Sequence, residues 1–205
     1  MDNPRDLFWV PGNFLGMRKP TSRPRAAIAT SIALAGALLV SVTGCAAAPT
    51  ASPAGSAAPS ATTPLFASDA EALAAATAAY SKYLEVSDQI ARDGGANPER
   101  LKPYVSASLF QNEVATYTDV AARGLHATGA TTFDTLHIQA VTANSVQVYA
   151  CARADRIRVM NSAGVDVTPS DRASVVPLSL VWTQGDGTKL ILDSSDRWTG
   201  VNFCR

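Results

Sequence analysis

The chain has 205 residues and a mass of 21.3 kDa, and its 17 basic and 17 acidic residues give a formal net charge of zero. This length fits one domain with attached segments better than two full domains. From Ala46 onward the sequence holds 12 basic and 15 acidic residues. A basic groove for phosphates is therefore excluded as the leading interpretation, and no nucleic-acid partner is expected.

A secretion signal is predicted near the start of the chain. Arg18, Lys19, Arg23 and Arg25 form a basic segment, and the uncharged apolar run 26–42 follows it. Basic residues stay on the cytoplasmic side of a membrane while the apolar run enters the bilayer. The run has 17 residues, close to the minimum for a membrane span, so an uncleaved transmembrane anchor is the alternative.

The apolar run ends in Val42-Thr43-Gly44-Cys45, with small residues directly before a cysteine. This ending resembles the lipobox of bacterial lipoprotein precursors. The resemblance implies that the Cys45 thiol receives a diacylglycerol and that the signal is cleaved between Gly44 and Cys45. The acylated protein is then expected to be held on the extracytoplasmic face of the cell membrane.

The composition divides the chain into four segments. Residues 1–16 look unlike a basic signal start, whereas Met17 is followed directly by Arg-Lys, so we expect Met17 and not Met1 to be the initiator and 1–16 to be a mis-called extension. The signal peptide then covers 17–44, the lipidated cysteine and a tether cover 45–66, and a globular domain covers 67–205. Ala, Ser, Thr, Pro and Gly dominate the tether, and this composition cannot bury enough apolar surface to fold.

The residue usage also points to a source. Arginine outnumbers lysine 13 to 4, and alanine is abundant. This bias is typical of a GC-rich genome, and a high-GC Gram-positive bacterium, an actinobacterium, is the natural expectation.

Three helices are predicted at the start of the globular part. The capping box 68–71 predicts the start of the first helix, and Asp93-Gly94-Gly95 predicts its end. Asn97-Pro98 predicts the N-cap and first position of a short second helix. Ser106 can cap a third helix that ends at Arg123-Gly124. The buried face of this third helix is predicted to hold Leu109, Phe110, Val114, Tyr117 and Ala121.

After Gly129 the apolar residues follow a period of two, and β-branched residues take over. Strands are predicted over 131–141, 145–154, 157–160, 175–184 and 189–193. Gly185-Asp186-Gly187 supplies a turn between the last two. Helices followed by a strand meander predict an α+β fold, with N-terminal helices packed on a curved antiparallel sheet.

Cys151 and Cys204 are predicted to form a disulfide. With Cys45 assigned to lipid, they are the two remaining cysteines, and both lie in an exported domain where oxidation is permitted. Side-chain alternation puts each on the more polar face of its predicted strand, so the bond would pin the last strand. The alternative is a free catalytic or metal-binding pair, but the spacing fits no zinc pattern, and no metal is expected.

Three parts of the globular region carry a resemblance to a known family. They are the helix segment Tyr80-Ser81-Lys82-Tyr83 with its Asp93-Gly94-Gly95 ending, the strand 148–151, and the terminal run 196–204. Over about Ser68–Arg205 the sequence resembles secreted and lipidated actinobacterial members of the nuclear transport factor 2-like superfamily.

The resemblance implies a cone-shaped, NTF2-like or cystatin-like α+β fold with a pocket at its open end. Dimers through the sheet are frequent in that family, so a homodimer is an expectation. The cone hosts isomerases, dehydratases, transport factors and simple binding domains, so architecture follows from the resemblance but function does not.

His137 and Asp134 are the candidate acid–base residues. An isomerase or dehydratase of this fold would place an aspartate or a histidine inside the cone for proton transfer. His137 faces either the pocket or the solvent. By side-chain alternation Asp134 shares a face with Leu136 and Ile138, and it would point inward if that face belongs to the core. The alternative is that Asp134 caps a turn at the start of the strand. His126 is interpreted as a loop residue after a helix-ending glycine.

No nucleophile elbow, zinc pair, phosphate loop or glycine fingerprint occurs, and no cofactor is expected.

Aromatic residues on the helices and the sheet are interpreted first as core, with the alternative that some line a ligand pocket. They are Tyr80, Tyr83, Phe110, Tyr117, Trp182 and Trp198, and the candidates for a pocket lining are Tyr80, Tyr83, Tyr117 and Trp182. A charged cluster after Cys151 is interpreted as a solvated edge, with a docking patch for anionic lipid or glycan as the alternative. It comprises Arg153, Asp155, Arg156 and Arg158.

These features predict a lipid-anchored extracytoplasmic binding or interaction module without catalytic activity, whose partner is an envelope protein or a small apolar ligand. A small-molecule acid–base enzyme and a structural envelope component are the alternatives. A deep cavity with a titratable group of perturbed pKa would favour catalysis. An interior filled by aromatic side chains would favour a partner surface.

Overall fold

The computed structural model of the protein describes residues 64–187 and 189–204. The predictions for the extension, the signal peptide and Cys45 fall on residues outside that part. The described elements are α1 (Asp69–Arg92), a 3₁₀ helix (Pro98–Leu101), α2 (Ala107–Ala122), β1 (His126–Thr128), β2 (Thr132–Val141), β3 (Ser145–Arg153), β4 (Arg158–Met160), β5 (Val175–Gln184) and β6 (Leu190–Arg197). The predicted α+β class is confirmed. Within these residues, no helix has the length and apolar character needed to cross a membrane.

Two antiparallel sheets form the β part. The larger has the strand order β2-β3-β5-β6, and the smaller pairs β1 with β4. The interpretation of His126 as a loop residue is wrong, because it lies in β1 opposite Met160. A strand of three residues is too short for a period of two to show in the sequence. β6 also continues to Arg197, four residues beyond its predicted end.

The helix ends form largely as the sequence predicts. The Ser68 hydroxyl accepts a hydrogen bond from the Glu71 N–H at 3.2 Å, and the Glu71 carboxylate accepts one from the Ala67 N–H at 3.1 Å. Ser106 caps α2 by accepting from the Leu109 N–H at 3.3 Å. Asn97 differs: its backbone is left-handed with φ 54°, and its side chain makes no capping hydrogen bond.

The core lies between the helices and one side of the larger sheet, which we call the inner face. The inner face carries buried residues at alternate positions: Val146, Val148, Ala150 and Ala152 from β3, and Val176, Leu178, Leu180 and Trp182 from β5. α1 packs against β2 and β6. Its buried stripe comprises Ala72, Ala76, Tyr80, Tyr83, Leu84, Ser87, Asp88, Ile90 and Ala91.

The buried stripe of α2 differs from its prediction. It consists of Leu109, Glu113, Tyr117 and Val120. Val114 is only half-buried and Ala121 is exposed. The prediction places Val114 on the buried face because it is apolar. In the structure Glu113, one residue earlier, is buried in its place.

Pairing irregularities in β2 change which residues share a face. A shift between Asp134 and His137 puts Asp134 opposite Cys151 and His137 opposite Tyr149. Both therefore lie on the outer face of the sheet, away from the helices. The expectation that Asp134 shares the face of Leu136 is wrong, because an extra residue in a bulge reverses the alternation. Asp134 instead forms an ion pair with Arg153.

The chain end is held on the outer face by the Cys151–Cys204 disulfide, with the two Cα atoms 5.6 Å apart. The predicted bond is confirmed. The predicted last strand is not, because residues 198–204, which we call the C-terminal segment, have no regular structure. The Trp198 N–H donates to the Pro177 carbonyl at 2.9 Å as this segment leaves β6.

Candidate functional site

Aromatic rings fill the space between α1 and the inner face. Tyr80 and Trp182 are both fully buried, and their ring centroids lie 6.0 Å apart in an edge-on arrangement. The ring of Phe133 lies 4.9 Å from that of Tyr80, and the ring of Tyr83 lies 6.0 Å away on the same helix. Such contacts are core packing at normal aromatic distances.

Hydrogen bonds between α1 and α2 surround this aromatic cluster. The Tyr83 hydroxyl donates to the Glu113 Oε1 at 2.8 Å. The Ser87 and Tyr117 hydroxyls are 2.7 Å apart, and the Tyr117 hydroxyl also lies 3.2 Å from the Ser87 carbonyl. The two helices are thus joined by two buried polar pairs.

Burial changes the proton affinity of these groups. It raises the pKa of Glu113 to about 7, although the hydrogen bond from Tyr83 opposes the rise. Burial also raises the pKa of both Tyr83 and Tyr117 well above the usual tyrosine value, with the Glu113 charge adding to it. A carboxyl group that titrates near neutral pH is suited to proton transfer when a substrate can reach it. Glu113 is only 3% exposed.

A third buried polar contact connects α1 to the start of β2. The Asp88 carboxylate accepts from the Thr131 N–H at 2.7 Å and from the Thr131 hydroxyl at 2.8 Å. Burial raises the pKa of Asp88, while the two hydrogen bonds from Thr131 lower it in part. Sequence reasoning missed both Asp88 and Glu113. The sequence held one signal for them, because each carboxylate lies three or four residues from apolar residues on the same helix and so shares their buried face.

Three of the clefts on the surface of the described part lie beside α1 or β4. One, of about 390 Å³, lies between α1 and β2 and includes Asp88, Arg92 and Phe133 in its lining. A second, of about 340 Å³, lies between α1 and the 3₁₀ helix and includes Arg100 and Tyr104. A third, of about 350 Å³, lies beside β4. Glu113 and the predicted pocket residues Tyr80, Tyr83, Tyr117 and Trp182 line none of these three clefts.

The predicted acid–base candidates lie on the opposite side of the sheet from the aromatic interior. His137 is exposed. Asp134 is engaged with Arg153. The structure brings both residues to the outer face, where they are separated from the buried carboxyls. No group of three His, Cys, Asp or Glu side chains suited to a metal ion occurs within residues 64–187 and 189–204.

The C-terminal segment adds a second aromatic group on this outer face. The Tyr149 ring lies 4.7 Å from Trp198 and is stacked on Phe203 at 5.3 Å. The Trp198 indole N–H donates to the Val201 carbonyl at 3.1 Å, which closes a short loop. Val201 itself is 90% exposed. The segment thus covers part of the outer face and presents an apolar side chain to solvent.

The comparisons with known proteins give weak structural likenesses. No protein-family model matches the chain, and no curated protein matches it. The intermembrane space region of the chloroplast protein ARC6 is 14% identical with a TM-score of 0.44, covering 61% of this chain and 95% of that one. A 2.5 Å structure from Catenulispora acidiphila is 12% identical with a TM-score of 0.39, covering 62% and 92%. A designed β-sheet protein is 9% identical with a TM-score of 0.27, covering 61% and 98%.

Proposed function

We propose that this protein is a lipid-anchored interaction module on the extracytoplasmic face of an actinobacterial cell membrane, with a domain of the nuclear transport factor 2-like type. The observation that carries the binding role is the filled interior. Tyr80 and Trp182 are fully buried and in contact, and Phe133 packs on Tyr80, at the place where an enzyme of this type would hold a substrate. This arrangement favours a protein partner on the surface over a small apolar ligand inside.

The cysteines support the proposed location. Cys151 and Cys204 are joined, and disulfides persist mainly in oxidising compartments. Cys45 follows an apolar run and small residues in the sequence. The anchor would restrict the domain to the membrane surface, where the effective concentration of a membrane-associated partner is high.

The position of the acid–base candidates favours this role over catalysis. His137 and Asp134 lie on the outer face, and Asp134 is paired with Arg153. The buried carboxyl that titrates near neutral pH, Glu113, bonds to Tyr83 between the two helices. This hydrogen bond joins α1 to α2, so Glu113 has a structural role in the packing of the two helices.

Metabolic labelling tests the anchor. In an actinobacterial host given an alkyne-bearing fatty acid, we expect the full chain to be labelled and to sediment with membranes. Cys45→Ser should abolish the label, because the thiol is the acceptor of the lipid. The double variant Cys151→Ser/Cys204→Ser is the matched control and should keep the label.

Three results would contradict the proposal. An unlabelled wild-type chain would exclude the lipid anchor, and a labelled Cys45→Ser chain would place the acyl group elsewhere. Protease added to cells whose wall has been removed and whose cytoplasmic membrane is sealed should digest the domain, and full protection of the domain would contradict the proposed face.

A further inference from the structure

The third surface cleft lies beside β4 and combines cationic and hydroxyl side chains. It is formed by the turn after β3 and by the segment 166–174. Its lining consists of Asp155, Arg158, Asp166, Thr168, Pro169, Ser170, Arg172 and Ser174. No residue of the aromatic interior or of the C-terminal segment lines this cleft.

Arg172 carries a positive charge that the described protein does not neutralise directly. Its Nη2 donates to the carbonyls of Ala154 at 2.7 Å and Ile157 at 2.8 Å, which fixes the guanidinium group. Its Nη1 is buried and has no hydrogen-bond partner within the described residues. None of the ion pairs among these residues includes Arg172. The Arg172 side chain as a whole is half-buried, and a buried N–H without an acceptor is unusual in proteins.

Arg158 brings a second guanidinium group to the same place. Its Nη1 donates to the carbonyls of Asp155 and Ile157, each at 3.0 Å. The Ile157 carbonyl thus accepts from both arginines. Burial lowers the pKa of Arg172 and the neighbouring charge of Arg158 lowers it further, while the charges of Asp166 and Asp155 partly oppose this decrease. Two like charges held side by side repel each other, and a bridging anion would relieve that repulsion.

The hydroxyl groups of the lining are suited to donate to an anion. The Thr168 hydroxyl is already engaged, because its Oγ1 accepts from the Val159 N–H at 2.8 Å and its side chain also hydrogen-bonds to the Asp166 carboxylate, which lowers the pKa of Asp166. Ser170 and Ser174 supply the hydroxyls of the lining that can donate to an anion. Arginine with hydroxyl donors is a common combination at sites that bind phosphate oxygens.

The acidic residues of the lining limit the charge of a bound anion. The Asp166 Oδ2 lies 3.7 Å from the Arg158 Nε, and Asp155 is the other carboxylate of the cleft. The charges of the two carboxylates and the two guanidinium groups in the lining sum to zero. A singly charged anion is therefore favoured over a doubly charged one, which the carboxylates would repel more strongly.

We propose that the cleft between Arg158 and Arg172 binds a phosphate group carrying one negative charge. Free inorganic phosphate and the phosphodiester of a lipid headgroup share this chemistry. The inference does not depend on the proposed function, because it rests on the guanidinium and hydroxyl groups of the cleft alone.

Calorimetric titration of the full chain in neutral detergent tests the site. The probes are inorganic phosphate at a pH below its second pKa, dimethyl phosphate, and glycerophosphoglycerol. We expect saturable binding in the millimolar range. Equal binding of all three would indicate a general phosphate site, whereas tighter binding of glycerophosphoglycerol would identify a lipid headgroup as the source.

Arg158→Gln is the informative variant, because Arg158 is half-exposed and its loss leaves Arg172 in place. We expect it to weaken binding by about tenfold. Arg156→Gln removes the same charge from an exposed neighbour that does not line the cleft, and should leave affinity within about twofold. Asp166→Asn should tighten binding, since it removes a repelling carboxylate.

Two outcomes would overturn the proposal. One is the absence of saturable binding to wild-type protein with all three probes. The other is an equal loss of affinity in Arg156→Gln and Arg158→Gln, which would show an unspecific response to net charge. Far-ultraviolet circular dichroism on each variant checks that the fold is kept.

Discussion

Glu113 occupies a position on α2 that an apolar residue would normally fill. It is buried between Leu109 and Tyr117, and the Tyr83 hydroxyl donates to it at 2.8 Å. Because burial raises its pKa to about 7, the folded protein holds a proton there that an unfolded carboxyl releases near its ordinary value of 4.5. The residue therefore couples the stability of the fold to pH.

The sign of this coupling can be tested with Glu113→Gln. Between pH 4.5 and about 7 the folded wild type binds the extra proton, so its free energy of unfolding should fall as pH rises through that range and level off above it. The loss is about 3 kcal/mol. Glutamine keeps an acceptor for the Tyr83 hydroxyl but cannot ionise, so most of the decline should disappear.

Urea unfolding at pH 5 and pH 8 measures the effect. Glu99→Gln, which changes an exposed carboxyl on the 3₁₀ helix, is the control and should keep the wild-type pH dependence. Equal pH dependence in wild type and Glu113→Gln would contradict the assignment. Asp88, whose pKa burial also raises, contributes with the same sign and remains in both variants.

At the scale of elements, the C-terminal segment depends on one covalent bond. The Cys151–Cys204 disulfide closes a loop with a sequence separation of 53 residues. The loop-entropy model assigns such a bond about 4 kcal/mol of stabilisation. The rings of Trp198 and Phe203 also contact the Tyr149 ring, with centroid distances of 4.7 and 5.3 Å.

The double variant Cys151→Ser/Cys204→Ser should lose up to about 4 kcal/mol in its free energy of unfolding. Its tryptophan fluorescence should change, because Trp198 no longer packs on Tyr149, while its far-ultraviolet circular dichroism should be nearly unchanged. Reductant should convert the wild type to the same behaviour and leave the variant unaffected. A variant as stable as the oxidised wild type would show that the segment needs no covalent link.

The elements also show which features a sequence pattern can predict. The caps at Ser68 and Ser106 follow from residues three positions apart, so local sequence predicts them well. The face of Asp134 depends on a bulge that forms only against β3. Neither that bulge nor the three-residue β1 leaves a periodic signal in the chain.

The buried carboxylates were missed for a related reason. Glu113 and Asp88 read as solvent-facing residues until their partners, Tyr83 and Thr131, are known, and these lie 30 and 43 residues away. The cysteine pair was predictable because the predicted export and the count of cysteines leave two cysteines to pair, and side-chain alternation places both on polar faces. The catalytic candidates were not, because side-chain alternation alone cannot tell which face is covered by helices.

For the whole molecule, the filled interior predicts how the domain responds to small apolar ligands. Trp182→Ala should lose about 3–5 kcal/mol of stability, because it removes a fully buried ring. If the variant keeps its fold, the space left should admit benzene or xenon, as dry apolar cavities do. The wild type should bind neither.

Nuclear magnetic resonance with added benzene or xenon measures this binding. Trp198→Ala, which removes a half-buried ring on the outer face, is the control and should not create the site. Saturable binding of these probes inside the wild-type core would contradict the filled interior and would favour a small-ligand carrier over an interaction module.

The three long-range polar contacts of α1 have a consequence for how the domain folds. Tyr83, Ser87 and Asp88 reach Glu113, Tyr117 and Thr131 respectively. A rotation of α1 by one residue, or a shift along its axis by one turn, would leave all three polar side chains buried without hydrogen-bond partners. Each alternative orientation of this alanine-rich helix would therefore lose all three hydrogen bonds. The polar contacts thus determine the position of α1 along its axis and its rotation, which the apolar side chains of the buried stripe would not determine alone.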